Sequence, residues 1–173
     1  MKKLLILILL VSLSACKKEV NTSTETTVVN SDSTKITKED ISKINYIEYG
    51  IDNKAKETLD SWIAYNTISS AIEKVKQGDF TFFKADDEVF NTTLKDIEGT
   101  TPNAIDSEPI KARVLILRTK LLKFREVINL STSNKNEKLI AVKELFQSFS
   151  YLTLQINKKF EKEAQNIIKP DSL

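Results

Sequence analysis

Three kinds of side chain in this sequence could do chemistry: the lone thiol of Cys16, the consecutive carboxylates Asp86, Asp87 and Glu88, and the arginines Arg113, Arg118 and Arg125. A thiol serves as a nucleophile, a metal ligand or an acylation site. Neighbouring carboxylates can hold a hard cation or divide acid and base roles, and arginines gathered on one face can hold an anion. The chain contains no histidine, and this excludes His-based dyads and triads. With a single cysteine it also excludes His/Cys zinc sites and thiol redox pairs. Gly50, Gly78 and Gly99 are too scattered for a glycine-rich phosphate loop. Carboxylate pairs of glycan-cleaving enzymes face each other at about 5 to 9 Å, which adjacent residues do not arrange. Three sequential carboxylates also project in different directions and lack the alternating ligands and central glycine of a calcium loop. The sequence therefore predicts no metal, no cofactor and no catalytic residue, and places Asp86, Asp87 and Glu88 at a helix start, opposing its positive dipole end.

Cys16 has a different setting. Lys2 and Lys3 give a positive start, Leu4 to Val11 is an unbroken apolar run, and Leu13, Ser14 and Ala15 lead into the cysteine. This is the layout of a secretory signal peptide over residues 1–15. The run is far short of the roughly 20 apolar residues of a spanning helix. The stretch "LSAC" resembles the lipobox of bacterial lipoprotein precursors. That resemblance implies cleavage before Cys16, diacylation of its thiol and acylation (palmitate among the acyl groups) of the new amine. Several acyl chains on one residue give stable membrane anchoring, each buried methylene contributing about 0.8 kcal/mol. Position 17 is Lys and not the Asp that implies inner-membrane retention in enterobacterial lipoproteins, so the resemblance points to the outer membrane. "CKKE" is also similar to the start of surface-exported Bacteroidetes lipoproteins, which leaves periplasmic and surface-facing placements open.

The elements that would position these groups follow from composition and periodicity. At 173 residues, 40% hydrophobic and 29% charged, the chain fits one domain with appendages. Without Lys2 and Lys3 it is formally neutral, and nothing points to nucleic acid. Residues 16–40 are rich in Thr, Ser and Asn without a sustained period and read as a lipidated N-terminus and flexible tether. Residues 17–40 would reach about 80 Å extended and roughly 27 Å as a coil. Residues 41–51 read as a short strand or, preferably, an extended segment on the core, with Tyr46 and Tyr49 packing.

A helix is predicted over 53–77, capped by Asp52 or Asn53 and stopped by Gly78, with an apolar stripe that drifts around its axis and so meets two partners in succession. Phe80, Phe82 and Phe83 precede a short helix that carries Phe90, Leu94 and Ile97. A third helix, 108–130, has Ser107 as N-cap and Pro109 in its first turn. Its stripe of Ile110, Val114, Leu117, Leu121, Phe124 and Ile128 is about 80° wide. Leu115 and Leu122 form a second ridge. Asn134 and Glu137 start the last helix with a capping box, and Leu139 to Ile168 stay helical in pattern up to Pro170, on the order of 50 Å. The prediction is an all-α, antiparallel bundle of three long helices plus one short helix at 41–169, preceded by a disordered tether.

Arg118 and Arg125 fall between the two apolar ridges of the third helix, so they must snorkel, pair with carboxylates or meet an anion. The economical expectation is intramolecular pairing, with the acidic 86–98 segment or with Asp60 and Glu73. The functional one makes Arg113, Arg118 and Arg125 contacts for an anion or an acidic partner. The order of "YIEYGIDNKAKETLDSW", "QGDFTFFKADD", "PIKARVLILRTK" and "LQINKKFEKEAQNI" also resembles uncharacterised flavobacterial helical lipoproteins, which implies location and helical fold but no activity. The resulting expectation is a membrane-anchored, non-enzymatic envelope lipoprotein that binds or scaffolds an envelope protein partner. The alternative is a binder of a small apolar or anionic ligand among Phe80, Phe82, Phe83, Phe90 and Phe146, with Arg113 or Arg118 meeting its charge.

Overall fold

The helix with the cleanest apolar period also takes part in the most extensive helix packing of the structure. In a computed structural model that describes residues 34–165, the buried residues of Glu108–Asn129 are Ile110, Val114, Leu117, Leu121, Phe124 and Ile128, the stripe its periodicity marks. Each such side chain contributes about 1.5–3 kcal/mol on leaving water. Ser107 precedes this helix in extended conformation with Pro109 in the first turn, while Leu115 and Leu122 stay exposed.

The chain is an all-α, antiparallel bundle. Among the described residues its helices are α1 (Lys38–Ser42), α2 (Asn53–Asp60), α3 (Ile63–Lys76), α4 (Thr81–Lys84), α5 (Asp87–Gly99), α6 (Glu108–Asn129) and α7 (Lys135–Ala164), with a 3-10 turn at Asn103–Ile105. The α6–α7 hairpin is the dominant packing; α5 lies against α3 and α6, α4 against α6, and α2 and α1 against both α3 and α7. Helix α7 is about 45 Å long. It begins with the anticipated capping box, Asn134 Oδ1 accepting from the Glu137 amide while Glu137 accepts from the Asn134 amide.

Three expectations need correction. The single helix over 53–77 is two helices, broken at Ser61 and Trp62, where Trp62 leaves helical geometry at φ −92°, ψ 88°. Asn66 Nδ2 donates to the carbonyls of Leu59 and Asp60 and so closes the end of α2. Across this break the chain changes partners, α2 packing on α7 and α3 on α5, and the drift of the apolar stripe records it. Trp62 is driven into the core at 1% exposure, and its Nε1 finds no partner among the described residues.

Second, the chain joins the bundle before residue 41. Ile36 and Ile41 belong to the core, and Thr37 caps α1 in a full capping box with Asp40. The polar composition of this stretch masks two isoleucines that suffice to seat a short capped helix. Third, the sequence predicts one short helix, at the acidic segment, and Phe82 and Phe83 form a further turn of helix, α4, ahead of it. The signal segment 1–15, Cys16, the tether through residue 33, Ile168 and Pro170 lie outside the described residues.

Residues 43–52 form neither helix nor strand. They run as a strap along α7, in the direction of that helix, from Phe146 beside Tyr46 to Asn157, while Asp40 and Thr34 upstream of the strap meet Lys135 and Lys138. This agrees with the extended segment read from the sequence.

Candidate functional site

Arg125 is more enclosed than Arg118, with 17% of its side chain exposed against 40%. Its Nη2 donates to Asp87 Oδ1 at 2.6 Å and to the Ala85 carbonyl at 3.0 Å, and its guanidinium sits 4.4 Å from the Phe90 ring centroid. Arg118 pairs with Glu98 at 3.3 Å. Arg113 makes no ion pair among the described residues and lies 5.7 Å over the Tyr151 ring. Along the same helix, Lys120 and Lys123 share Glu144 at 3.3 and 2.7 Å. Lys123 first, then Lys120, holds the Glu144 carboxyl below the usual range. Lys111 meets Asp106 at 3.0 Å and Glu108 at 3.4 Å, and its ammonium pKa is raised by them.

The basic face of α6 is thus largely tied to carboxylates of its own chain. The acidic helix α5 supplies two of them, as expected. The other anticipated partners do not take part: Glu73 pairs with Lys76, and no ion pair involves Asp60 among the described residues.

Asp86, Asp87 and Glu88 separate by role. Asp86 caps α5 by accepting from the Glu88 amide at 3.1 Å, Asp87 holds Arg125, and Glu88 is exposed. Among the described residues no group of three His, Cys, Asp or Glu side chains stands in metal-holding geometry. An open depression of about 780 Å³ borders Lys84, Asp86, Asp87, Leu122 and Arg125; its one guanidinium is the one already neutralised by Asp87.

The five phenylalanines do not line one gap. Phe83 is the hub of an edge-to-face cluster, 4.6 Å from Phe124 and 6.1 Å from Phe90, with Phe82 at 5.1 Å and Phe80 against Phe124 at 6.2 Å. Phe146 lies elsewhere, 5.2 Å from Tyr46. Arg113 and Arg118 are not brought to this cluster.

The arrangement that sequence reasoning missed lies between α3 and α7. These helices meet through large side chains, with Tyr65 stacked on Phe149 at 4.9 Å and its hydroxyl 2.7 Å from Thr153 Oγ1. Outside that contact the strap is seated. Ser150 Oγ accepts from the Tyr49 amide at 2.8 Å and donates to the Ile47 carbonyl at 2.9 Å. Asn157 Oδ1 accepts from the Asp52 amide at 3.0 Å, and its Nδ2 donates to the Gly50 carbonyl at 2.8 Å.

Three strap side chains take defined places. Tyr46 packs on Phe146 and donates to Glu48 at 2.9 Å, Glu48 reaches Lys76 at 2.5 Å, and Tyr49 faces Tyr151 at 6.3 Å. Burial, reinforced by the Glu48 carboxylate, raises the Tyr46 phenol to about 12. The hydrogen bond from Lys76 lowers Glu48. Burial opposes charge on Lys76, but Glu48 and Glu73 outweigh it and raise its pKa. A void of about 30 Å³ remains beneath, bounded by Tyr46, Ile72, Phe146 and Ser150. The sequence signal was present in "FQSFSYLTLQIN": Ser148, Ser150 and Thr153 are buried polar residues on an otherwise apolar face, and such residues must find partners.

No family model, curated protein or solved structure matches this chain. The functional reading therefore rests on the residues and on their geometry.

Proposed function

We propose that this protein is a lipid-anchored component of the bacterial envelope, at the outer membrane, whose helical domain works by binding a protein partner. The observation that carries the partner-binding part is the state of α6. Its Arg118, Arg125, Lys120 and Lys123 are committed to Glu98, Asp87 and Glu144, while Leu115 and Leu122 beside them remain 56% and 40% exposed. A face of neutralised charge flanking exposed leucines suits a protein surface better than a free anion, because interface cores favour apolar residues and arginine over unpaired charge. The anchor part is supported by the "LSAC" stretch at Cys16 and by the Leu4 to Val11 apolar run before it.

The two parts are tested separately. Metabolic labelling with a palmitate analogue should label the wild-type chain and fail with Cys16→Ser, which should also leave the membrane fraction; labelling that survives Cys16→Ser overturns the anchor. Photo-crosslinkers at Leu115 and Leu122 in living cells should trap a discrete envelope protein. A crosslinking pattern no different from one at exposed Lys95 overturns the partner-binding reading of this face.

A further inference from the structure

The strap is seated in a site built to hold an extended backbone. Ser150 and Asn157 each present one donor and one acceptor to it, at Ile47 and Tyr49 and at Gly50 and Asp52. Such pairing reads the extended conformation without regard to side chains, as a strand edge does. Side-chain selectivity is added by Phe146 beneath Tyr46, Lys76 opposite Glu48 and Tyr151 beside Tyr49.

The occupant lies on the surface of the core, with Ile44 and Tyr46 half-buried against it. No residue from 42 to 54 is buried, and Ile47 and Ile51 face outward at 62% and 45% exposure. Glu48 is 57% exposed in its ion pair, so that pair is weakened by solvent. The void under Tyr46 is about the space of one water. The groove floor, by contrast, is deeply buried: Phe146 at 2%, Ser150 at 4% and Ile72 at 3%.

Both ends of the strap are pinned independently of it. Ile41 at 3% exposure anchors the upstream end, and Ala55 and Leu59 at 0% anchor the downstream end through α2. The segment between can therefore lift out as a local opening that uncovers Phe146 and Ile72 and leaves the rest of the core packed. The same pinning opposes its donation to a second copy of the chain.

Resting on the partner-binding reading, though at a different face, we propose that the α3–α7 groove is a docking site for an extended segment of a partner protein, and that residues 44–52 occupy it in cis until such a segment displaces them. The partner segment has the chemistry of the cis occupant: an aromatic residue, any residue, an acid and a second aromatic, as in Tyr46, Ile47, Glu48 and Tyr49. Recognition combines main-chain hydrogen bonds from Ser150 and Asn157 with the Lys76 ammonium and the Phe146 ring that the strap covers.

The test uses the full mature chain and a synthetic peptide of residues 43–53, KINYIEYGIDN, carrying a benzophenone in place of Tyr49. On irradiation the peptide should crosslink to the 146–157 segment of α7, and crosslinks should accumulate because each capture is irreversible. Unlabelled peptide should compete, and a peptide with Glu48→Lys should not. Strap weakening in the chain itself by Tyr46→Ala should raise the crosslinking rate roughly tenfold, the factor for about 1.4 kcal/mol. Ser150→Ala with Asn157→Ala should lower it.

Absence of α7 crosslinks from wild-type chain at about 1 mM peptide, the range of a short tether's effective concentration, overturns the proposal whether or not the Tyr46 variant folds. A full chain carrying the benzophenone at residue 49 should crosslink within itself; a crosslinked dimer would give the groove to a second copy and also overturn it. Neither outcome bears on palmitate labelling or on crosslinks at Leu115, so failure here is distinguishable from failure of the broader reading.

Discussion

Arg125 and Phe90 are stacked, with the guanidinium carbon 4.4 Å from the ring centroid. Phe90 is itself buried at 1% exposure, so the arginine lies over the edge of the phenylalanine cluster. From there it reaches the Ala85 carbonyl and Asp87. One side chain of α6 thereby fastens the turn between α4 and α5. Asn129, one turn further on, repeats the device by donating to the Phe83 carbonyl at 2.8 Å.

Replacing Arg125 should separate these contributions. Arg125→Ala loses a stacked cation and a hydrogen bond to a carbonyl, and should lower stability by about 1–2 kcal/mol in urea unfolding. Arg125→Lys should recover less than half, because an ammonium cannot stack and fork at once. Asp87→Asn should cost no more than about 0.5 kcal/mol, since Asp87 is 84% exposed. An Asp87 variant as destabilised as the Arg125 one would show that the ion pair, and not the stacking, fastens the turn.

Where apolar period and capping chemistry coincide, the fold was legible. Helix α6 matches its stripe residue for residue, α7 begins at the capping box read from Asn134 and Glu137, and Gly78 ends its segment with positive φ. The break at Trp62 was not legible, because the helical period continues through it and the deciding contact, Asn66 back to Leu59, comes from a polar side chain. Pairing of α6 with α5 was foreseeable from charge, but which carboxylate meets which cation depends on register. Glu144 lies on α7, and nothing local to either helix places it between Lys120 and Lys123. The strap site was hardest, for its ligands are a serine and an asparagine whose meaning comes from a backbone about one hundred residues away.

Tyr65 and Thr153 offer a buried polar pair for a double-mutant cycle. Both are 1% exposed, and their oxygens are 2.7 Å apart. Thr153→Val strands the tyrosine hydroxyl and should cost about 1–3 kcal/mol; Tyr65→Phe leaves Thr153 its bond to the Phe149 carbonyl and should cost about 1 kcal/mol. The double variant should be less destabilised than the sum, because removing both partners leaves no orphan. Strict additivity would refute the coupling.

Gly78 sits at φ +82°, and a Cβ there would meet the Lys38 amide nitrogen at 3.4 Å. Gly78→Ala should cost about 1–2 kcal/mol from the left-handed conformation alone, with the contact pressing on α1. Gly50 has open space around it, so Gly50→Ala should change stability by no more than about 0.5 kcal/mol. Equal midpoints for the Gly78 variant and wild type in urea would show that α1 and the turn give way freely.

Two groups near the upstream end of the strap should respond to opposite extremes of pH. Asp40 is held at about 2 by the Lys135 hydrogen bond first and the Thr37 amide second, against an ordinary 3.8. Its folded value is depressed, so its contribution is full above pH 3.8 and fades as pH falls toward about 2. Carboxyl titration by NMR should find that low midpoint, and Lys135→Met should move it up toward the ordinary value. Tyr46 is raised from 10 to about 12, so the contribution of its neutral phenol is full below pH 10 and is lost as pH climbs through about 12. Glu48→Gln removes the second cause but leaves burial, the larger one. Tyrosinate absorbance should then show the Tyr46 midpoint falling part of the way toward 10. A midpoint unmoved by Glu48→Gln would mean that the Tyr46 hydroxyl does not donate to Glu48, and that the strap is held at this point by ring packing on Phe146 alone.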